Sequence, residues 1–231
     1  MTDTAAAGGP RTAEDLLGPL NPLERLYAPK ELFVAGHADW LRQPRRVAVV
    51  GARRASPEGM KRAARLARIL VEHNAMVVSG LAEGIDAAAH TATIEAGGRT
   101  IAVIGTPLSD AYPARHRALQ TLLMRDHLVV SQFHPGQPTT RRNFPMRNRT
   151  MALICDVSVI VEAGEGSGSL SQGWEALRLG RPLFLMASIL DQPALSWPKT
   201  MIDYGARILR APDDLLAHLP ELVDDPLAAI A

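Results

Sequence analysis

From Arg46 onward the chain alternates short, apolar, β-branched runs with longer amphipathic ones, and that alternation limits the fold more than any other feature. VAVV at 47–50 is followed by a helical pattern from about Pro57 to Asn74, and AMVVS at 75–79 by one from about Ile85 to Ala96. TIAVI at 100–104 leads into a helical stretch around Ala114 to Arg125, and LVVS at 128–131 into an arginine-rich segment. DVSVIVEA at 156–163 precedes a helix from about Leu170 to Leu179, and PLFLMA at 182–187 follows it. Near-continuous apolar strands are those of a sheet covered on both faces. Six of them separated by helices predict an α/β fold: a doubly wound, mostly parallel sheet with helices on both faces.

The remaining segments are assigned around that core. Residues 1–20 read as a disordered N-terminal tail. Residues 21–44 contain Pro22, Pro29 and Pro44 and read as an irregular lead-in packed on the sheet by Leu26, Leu32, Phe33 and Trp40. Residues 45–210 form the expected α/β domain, and 211–231 a short helix, about Asp213 to His218, and a tail. A chain of 231 residues that is 47% hydrophobic accommodates one such core. The single cysteine, Cys155, rules out an intrachain disulfide and a cysteine-based zinc site, and suits a reducing cytoplasmic setting. The N-terminus has Asp3, Glu14 and Asp15 and no basic-then-apolar signal pattern, and no run is long enough to span a membrane.

In open α/β sheets ligands bind beyond the carboxyl ends of the strands, where the strand order reverses. Five consecutive post-strand turns here hold glycine, serine or arginine: GARRASPEG, GLAEGID, GTPLSDAYP, QFHPGQPTTRRNFPMRNR and GEGSGSL. A glycine in such a turn often serves only a positive φ or a close helix approach, and GLAEGID is open to that reading. GEGSGSL is more specific, because Gly164, Gly166 and Gly168 leave backbone N–H groups open, Ser167 and Ser169 add hydroxyls, and a helix N-terminus follows. It is not the dinucleotide fingerprint, and no P-loop lysine follows, so a conventional NAD enzyme or NTPase is not expected. There is no G-x-S-x-G elbow, and the histidines, His37 and His134 among them, lack metal-ligand spacing.

The formal net charge of only +1 means that any anion site must come from local clustering. RRNFPMRNRTMALIC at 141–155 holds Arg141, Arg142, Arg147 and Arg149, and no acidic residue occurs from Phe133 to Cys155. A second cluster, Arg45 to Arg68, opposes eight cations with Glu58 alone. Arg53 and Arg54 follow the first strand and the other cluster follows the fourth, so the fold brings both to one rim. Guanidinium groups bind phosphate oxygens bidentately and stay charged. Phe144, set among arginines, either stacks a nucleobase or is buried beneath the loop.

These motifs resemble the DNA-processing protein A family, DprA or Smf, whose central domain is an extended Rossmann-like fold. The matching stretches are GARRASPEG at 51–59, SGLAEGIDAAAH at 79–90, AGGRTIAVIGTPLSDAYP at 96–113, NFPMRNRTMA at 143–152 and VEAGEGSGSL at 161–170, in the family's order over about residues 29–206. The resemblance implies single-stranded DNA binding without enzymatic activity, dimerisation, and delivery of DNA to a RecA-type recombinase during natural transformation. By motif it assigns Arg53 and Arg54, then Ser79, Gly80 and Gly84, then Asn143, Phe144, Arg147, Asn148 and Arg149, then Ser167, Gly168 and Ser169. The residues themselves add Gly51, Arg141, Arg142 and Gly166. No cofactor and no metal are expected. Departures from the family pattern fall at Ser131-Gln132, at Ser171-Gln172 and at Ser196-Trp197-Pro198. The flanking helical and winged-helix modules common in the family have no place here, which suggests a minimal or divergent member.

A rival reading is a nucleotide-binding sensor, or a LOG-type phosphoribohydrolase acting on nucleotide monophosphates. MRNRTM and GSGSLSQGWE occupy places comparable to that enzyme's M-x-x-R helix and GGxGTxxE turn. Gln172 stands where its glutamate is required, and an amide serves neither as general base nor as a stabiliser of an oxocarbenium. Glu175, one helical turn on, is the substitute to consider.

Overall fold

The computed structural model describes residues 9–222. The parts of the two tails at 1–8 and 223–231 lie outside the described residues. The sheet has eight strands in the order β1-β5-β4-β3-β2-β6-β7-β8. Their ranges are β1 Phe33–Gly36, β2 Arg46–Gly51, β3 Met76–Ser79, β4 Thr100–Ile104, β5 Leu128–Ser131, β6 Val157–Glu162, β7 Leu183–Met186 and β8 Arg207–Leu209. All pairs are parallel except β1 with β5. From β2 the chain builds outward through β3, β4 and β5, then returns to lay β6 on the other flank of β2. The β2/β6 boundary is therefore the switch point, where the loops leaving neighbouring strands diverge and open a crevice.

The helices are α1 Ala13–Leu17, α2 Pro22–Tyr27, α3 Pro57–Glu72, α4 Ile85–Glu95, α5 Arg117–Asp126, α6 Asn143–Ile154, α7 Ser169–Arg178, α8 Trp197–Asp203 and α9 Pro212–Leu216. Alternate residues of each strand face opposite layers. Val47, Val49, Val77, Val157 and Val159 pack with Ala63, Leu66, Leu70 and Ala89 of α3 and α4. Ala48, Val50, Val78, Ile101 and Val103 pack with Met151, Leu153 and Ile154 of α6. At period 2, each apolar run thus supplies both cores at once. No helix among the described residues is long and apolar enough to cross a membrane.

Two expectations for the first forty residues need correction. The stretch read as part of a disordered tail contains α1, closed by a reciprocal Thr12/Asp15 capping box, with Ala13 and Leu16 buried. The lead-in is not irregular, because α2 starts on an Asn21/Glu24 capping box and Phe33–Gly36 adds an antiparallel edge strand, Phe33 opposite Ser131. Leu32, Phe33 and Trp40 do pack on the core, whereas Leu26 is 73% exposed. Beyond PLFLMA, residues 207–209 add β8, an edge strand too short and too polar at Arg207 to register as an apolar run.

Candidate nucleic-acid interface

The turn after β2 sets the geometry of the site. Ala52 N–H donates to Glu162 O at 2.7 Å, tying the turn to the end of β6. The Glu162 carboxylate accepts from Ser56 N–H at 2.7 Å and Ser56 Oγ at 2.5 Å, and Arg62 lies 3.5 Å away. Ser56 in turn caps α3 through Gly59 N–H. The α3 N-terminus is thereby occupied by a carboxylate of the protein itself. Between the two anchors Arg53 and Arg54 are left exposed at the rim. Gly51 is needed because a Cβ there would meet Ile85 and the Glu162 carbonyl.

The GLAEGID turn is built around a residue the sequence reading passed over. Asp86, in the first turn of α4, accepts N–H bonds from Gly80 at 3.1 Å and Ala82 at 3.3 Å. Leu81 takes a positive φ of 57° to make this possible, and Gly84, at φ 73°, packs too closely on the Ala52 carbonyl to carry a side chain. Ser79 is fully buried at the end of β3, its Oγ donating to Val49 O at 2.7 Å, and belongs to the core. Gly80 must lack a Cβ because the Arg147 guanidinium lies against it. A glycine-flanked loop followed by an acid in the first turn of a helix was the signal for Asp86.

Arg147 is buried, and Nη1 donates to Val103 O at 2.8 Å while Nε has no partner among the described residues. Burial pulls its pKa down and the Asp86 carboxylate opposes that. Burial pushes the Asp86 carboxyl up, against the pull of Arg147 and the two N–H donors. Asn143 is buried too, donating to Gly105 O at 3.1 Å, and Asn148 donates to Gly168 O at 3.1 Å, tethering the GEGSGSL turn to α6.

Two adjoining cavities occupy the crevice. The larger, about 470 Å³, lies between the turns after β2 and β6, with Gly51, Asp86, Asn148, Ser167, Gly168, Ser169 and Gln172 in its wall. The smaller, about 260 Å³, is bounded by Gly80, Glu83, Gly105, Tyr112 and Pro113. Arg53, Arg54, Ala82, Phe144 and Arg147 belong to both, so the two form one continuous cleft. Phe144 is half-buried, packed against Gly105, with the Arg53 guanidinium 5.1 Å from its ring centre. Tyr112 is exposed, 5.2 Å from Phe144 and 6.0 Å from the Arg53 guanidinium. An aromatic within a post-strand turn, GTPLSDAYP, was the cue that would have flagged Tyr112.

The other expected residues separate. Arg149 lies outside both cavities: it faces Glu175 at 3.4 Å and the Tyr27 ring at 5.3 Å, beside a third hollow against α2. Arg141 and Arg142 are exposed immediately before α6, with Arg142 at its N-cap. Gly166 takes a positive φ of 68° and shapes the loop without lining the cleft. Ser167 and Ser169 pair through their hydroxyls at 2.8 Å. The N-termini of α6 and α7 have neither a side-chain cap nor an acid in the first turn, in contrast to α3 and α4. Helix ends without a side-chain cap or a first-turn acid, one of them with arginines beside it, favour an anion through the helix dipole, while in α7 the Leu170 and Ser171 N–H groups donate to Ser167 O and Gly168 O.

Comparison with known proteins agrees in fold and sequence. Residues 19–220 match the family profile described as DNA recombination-mediator protein A. DNA processing protein DprA of Streptococcus pneumoniae is 41% identical over 198 residues, which cover 85% of this chain and 69% of that protein. The solved structure of DNA processing protein A from Streptococcus pneumoniae superposes with a TM-score of 0.80 at 35% identity, over 94% of this chain and 76% of that one. The protein of that name from Helicobacter pylori, described for its single-stranded DNA binding mode, gives a TM-score of 0.75 at 25% identity, over 90% and 94% of the two chains.

Proposed function

The chain belongs to the DNA recombination-mediator protein A family, and from that premise we propose that its switch-point cleft binds single-stranded DNA during DNA processing in recombination. The observation that carries the reading is the continuity of the cleft. One wall, made of Arg53, Arg54, Phe144 and Arg147, serves two cavities, so the site extends past a single phosphate. The larger cavity takes a phosphate near the uncapped N-terminus of α7, with the Ser167 and Ser169 hydroxyls and the Arg53 and Arg54 guanidiniums as donors. The smaller takes a base against Tyr112 and Phe144, a contact tolerant of sequence because every base has a stacking face. Arg141 and Arg142 meet the backbone as it leaves over the start of α6.

Arg147 acts mainly from within the wall. Its Nη1 is committed to Val103 O, and its charge adds to the field of the cleft without reaching out of it. The reading is non-enzymatic. Gln172 is buried in the cavity wall with its amide near Ser158 Oγ at 3.3 Å, and the one glutamate able to replace it, Glu175, faces Arg149 and Arg178 on another side of the helix. A carboxylate placed for glycosidic-bond cleavage is thus lacking at both positions. A homodimer and a RecA-type recombinase as the recipient of the DNA belong to the same proposal and rest on family membership alone.

The test is fluorescence anisotropy of thymidylate oligonucleotides of increasing length across a salt series, with duplex DNA and AMP as competitors. Length-dependent, salt-sensitive binding that AMP barely displaces is the expected result. Complete displacement by AMP would replace the reading with a mononucleotide site.

A further inference from the structure

The outer face of α3 carries a basic stripe that the cleft does not use. Lys61, Arg65 and Arg68 recur at helical spacing, all exposed, opposite the buried Ala63, Leu66, Ala67 and Leu70. Together they span about 10 Å of the helix axis. The acids within helical reach are Glu58, three residues before Lys61, and Glu72, four after Arg68, and Arg65 between them has none at that spacing. Among the described residues Lys61, Arg65 and Arg68 form no ion pair, while Arg62 beside them is drawn to Glu162. The acids of the helix stand at its ends, Glu58 in the first turn and Glu72 at the last residue.

The stripe is also continuous with the cleft. The α3 N-terminus is anchored at the rim by Ser56 and Glu162, two residues after Arg54, which lines both cavities. A polyanion leaving the cleft past Arg54 therefore meets Lys61 one turn down the helix, then Arg65, then Arg68. We propose that this face of α3 is a second, sequence-independent track for single-stranded DNA, carrying the strand away from the cleft on phosphate contacts alone. The inference rests on the cleft being a single-strand site. It assigns the track no base contacts, because exposed Lys and Arg offer charge without an aromatic platform beside them.

The experiment compares wild type with K61Q/R65Q/R68Q, using a short thymidylate oligonucleotide that only fills the cleft and one three times as long. Glutamine keeps helix propensity at these exposed positions, and an unchanged thermal midpoint checks the fold. The expected result is an unaltered affinity for the short oligonucleotide and, for the long one, an affinity about tenfold weaker with a salt slope smaller by about 2. Equal affinity and slope for the long oligonucleotide, with the short one still bound, would overturn the track and leave the cleft standing. Failure of wild type to bind the short oligonucleotide would overturn both. An equal loss for duplex DNA of the same length would overturn the single-strand assignment of the stripe.

Discussion

Two arginines of the same cleft wall do different work. Arg53 is exposed at the rim, lies over Phe144 at 5.1 Å, and keeps its donors for a ligand. Arg147 is buried, holds the Val103 carbonyl, and stands near a carboxylate, Asp86, that is itself part of a turn. On the proposed reading, charge in the crevice divides between a group left free to meet an anion and a group that holds the wall. The two groups respond to different measurements, one to salt and one to denaturant.

The largest effect should come from the wall. Arg147→Ala leaves the Asp86 carboxyl buried without its neighbouring cation, and urea unfolding should report a loss of about 3 kcal/mol. A variant as stable as wild type that merely binds DNA less tightly would erase the distinction between the two arginines.

The floor beneath Arg147 offers a titration. His90, one turn beyond Asp86 on α4, is buried beside Thr100 Oγ1 at 2.7 Å, and burial pulls its pKa down to about 3. Unfolded, it returns to the ordinary value of 6.5. Above that value both states are neutral there and its full contribution to stability is present. Between 6.5 and about 3 the unfolded state takes up a proton that the folded state refuses, so stability falls as pH falls, by about 1.4 kcal/mol per unit at most. Denaturation midpoints measured down this window should fall more steeply for wild type than for His90→Gln. Parallel profiles would mean that His90 is not held neutral.

On the open side, Phe144→Ala should weaken oligonucleotide binding by about 1–3 kcal/mol with no change in salt slope, since stacking releases no counterion. A flattened slope would show that the ring serves only to position Arg53. The smallest effect belongs to Arg149→Ala: its guanidinium is engaged by Glu175 and Tyr27 away from both cavities, so affinity for oligonucleotides should hold within about a factor of two.

The contrast between rim and wall also explains what could be read before any coordinates. The parallel sheet was legible because VAVV, TIAVI and the VSVIV of DVSVIVEA are nearly continuous apolar runs, the pattern expected of a sheet covered on both faces. The edge strands were not. Residues 33–36 sit between a proline-rich lead-in and a short 3₁₀ turn, and they gain strand structure from Leu128–Ser131, nearly a hundred residues away. The convergence of Arg53, Arg54, Phe144 and the GEGSGSL turn followed from the rule that post-strand loops share one rim. The division among the arginines did not, because it depends on Asp86, Glu175 and Tyr27, none of them near the RRNFPMRNR run in sequence. Tertiary placement also answers the local charge imbalance. Two of its four arginines find acids on other helices, and two remain at the uncapped N-terminus of α6, where an anion is favoured.

The central claim is that the rim residues after β2, and not the arginine-rich run as a whole, form the phosphate site. The most direct test is the salt dependence of single-stranded oligonucleotide binding for wild type, R53A/R54A and Arg149→Ala. R53A/R54A should lower the slope by about 1.4, two contacts at about 0.7 each, with unfolding free energy unchanged within about 0.5 kcal/mol, while Arg149→Ala matches wild type. A wild-type slope for R53A/R54A, together with a reduced one for Arg149→Ala, would contradict the claim and move the interface to the α2 side of α6.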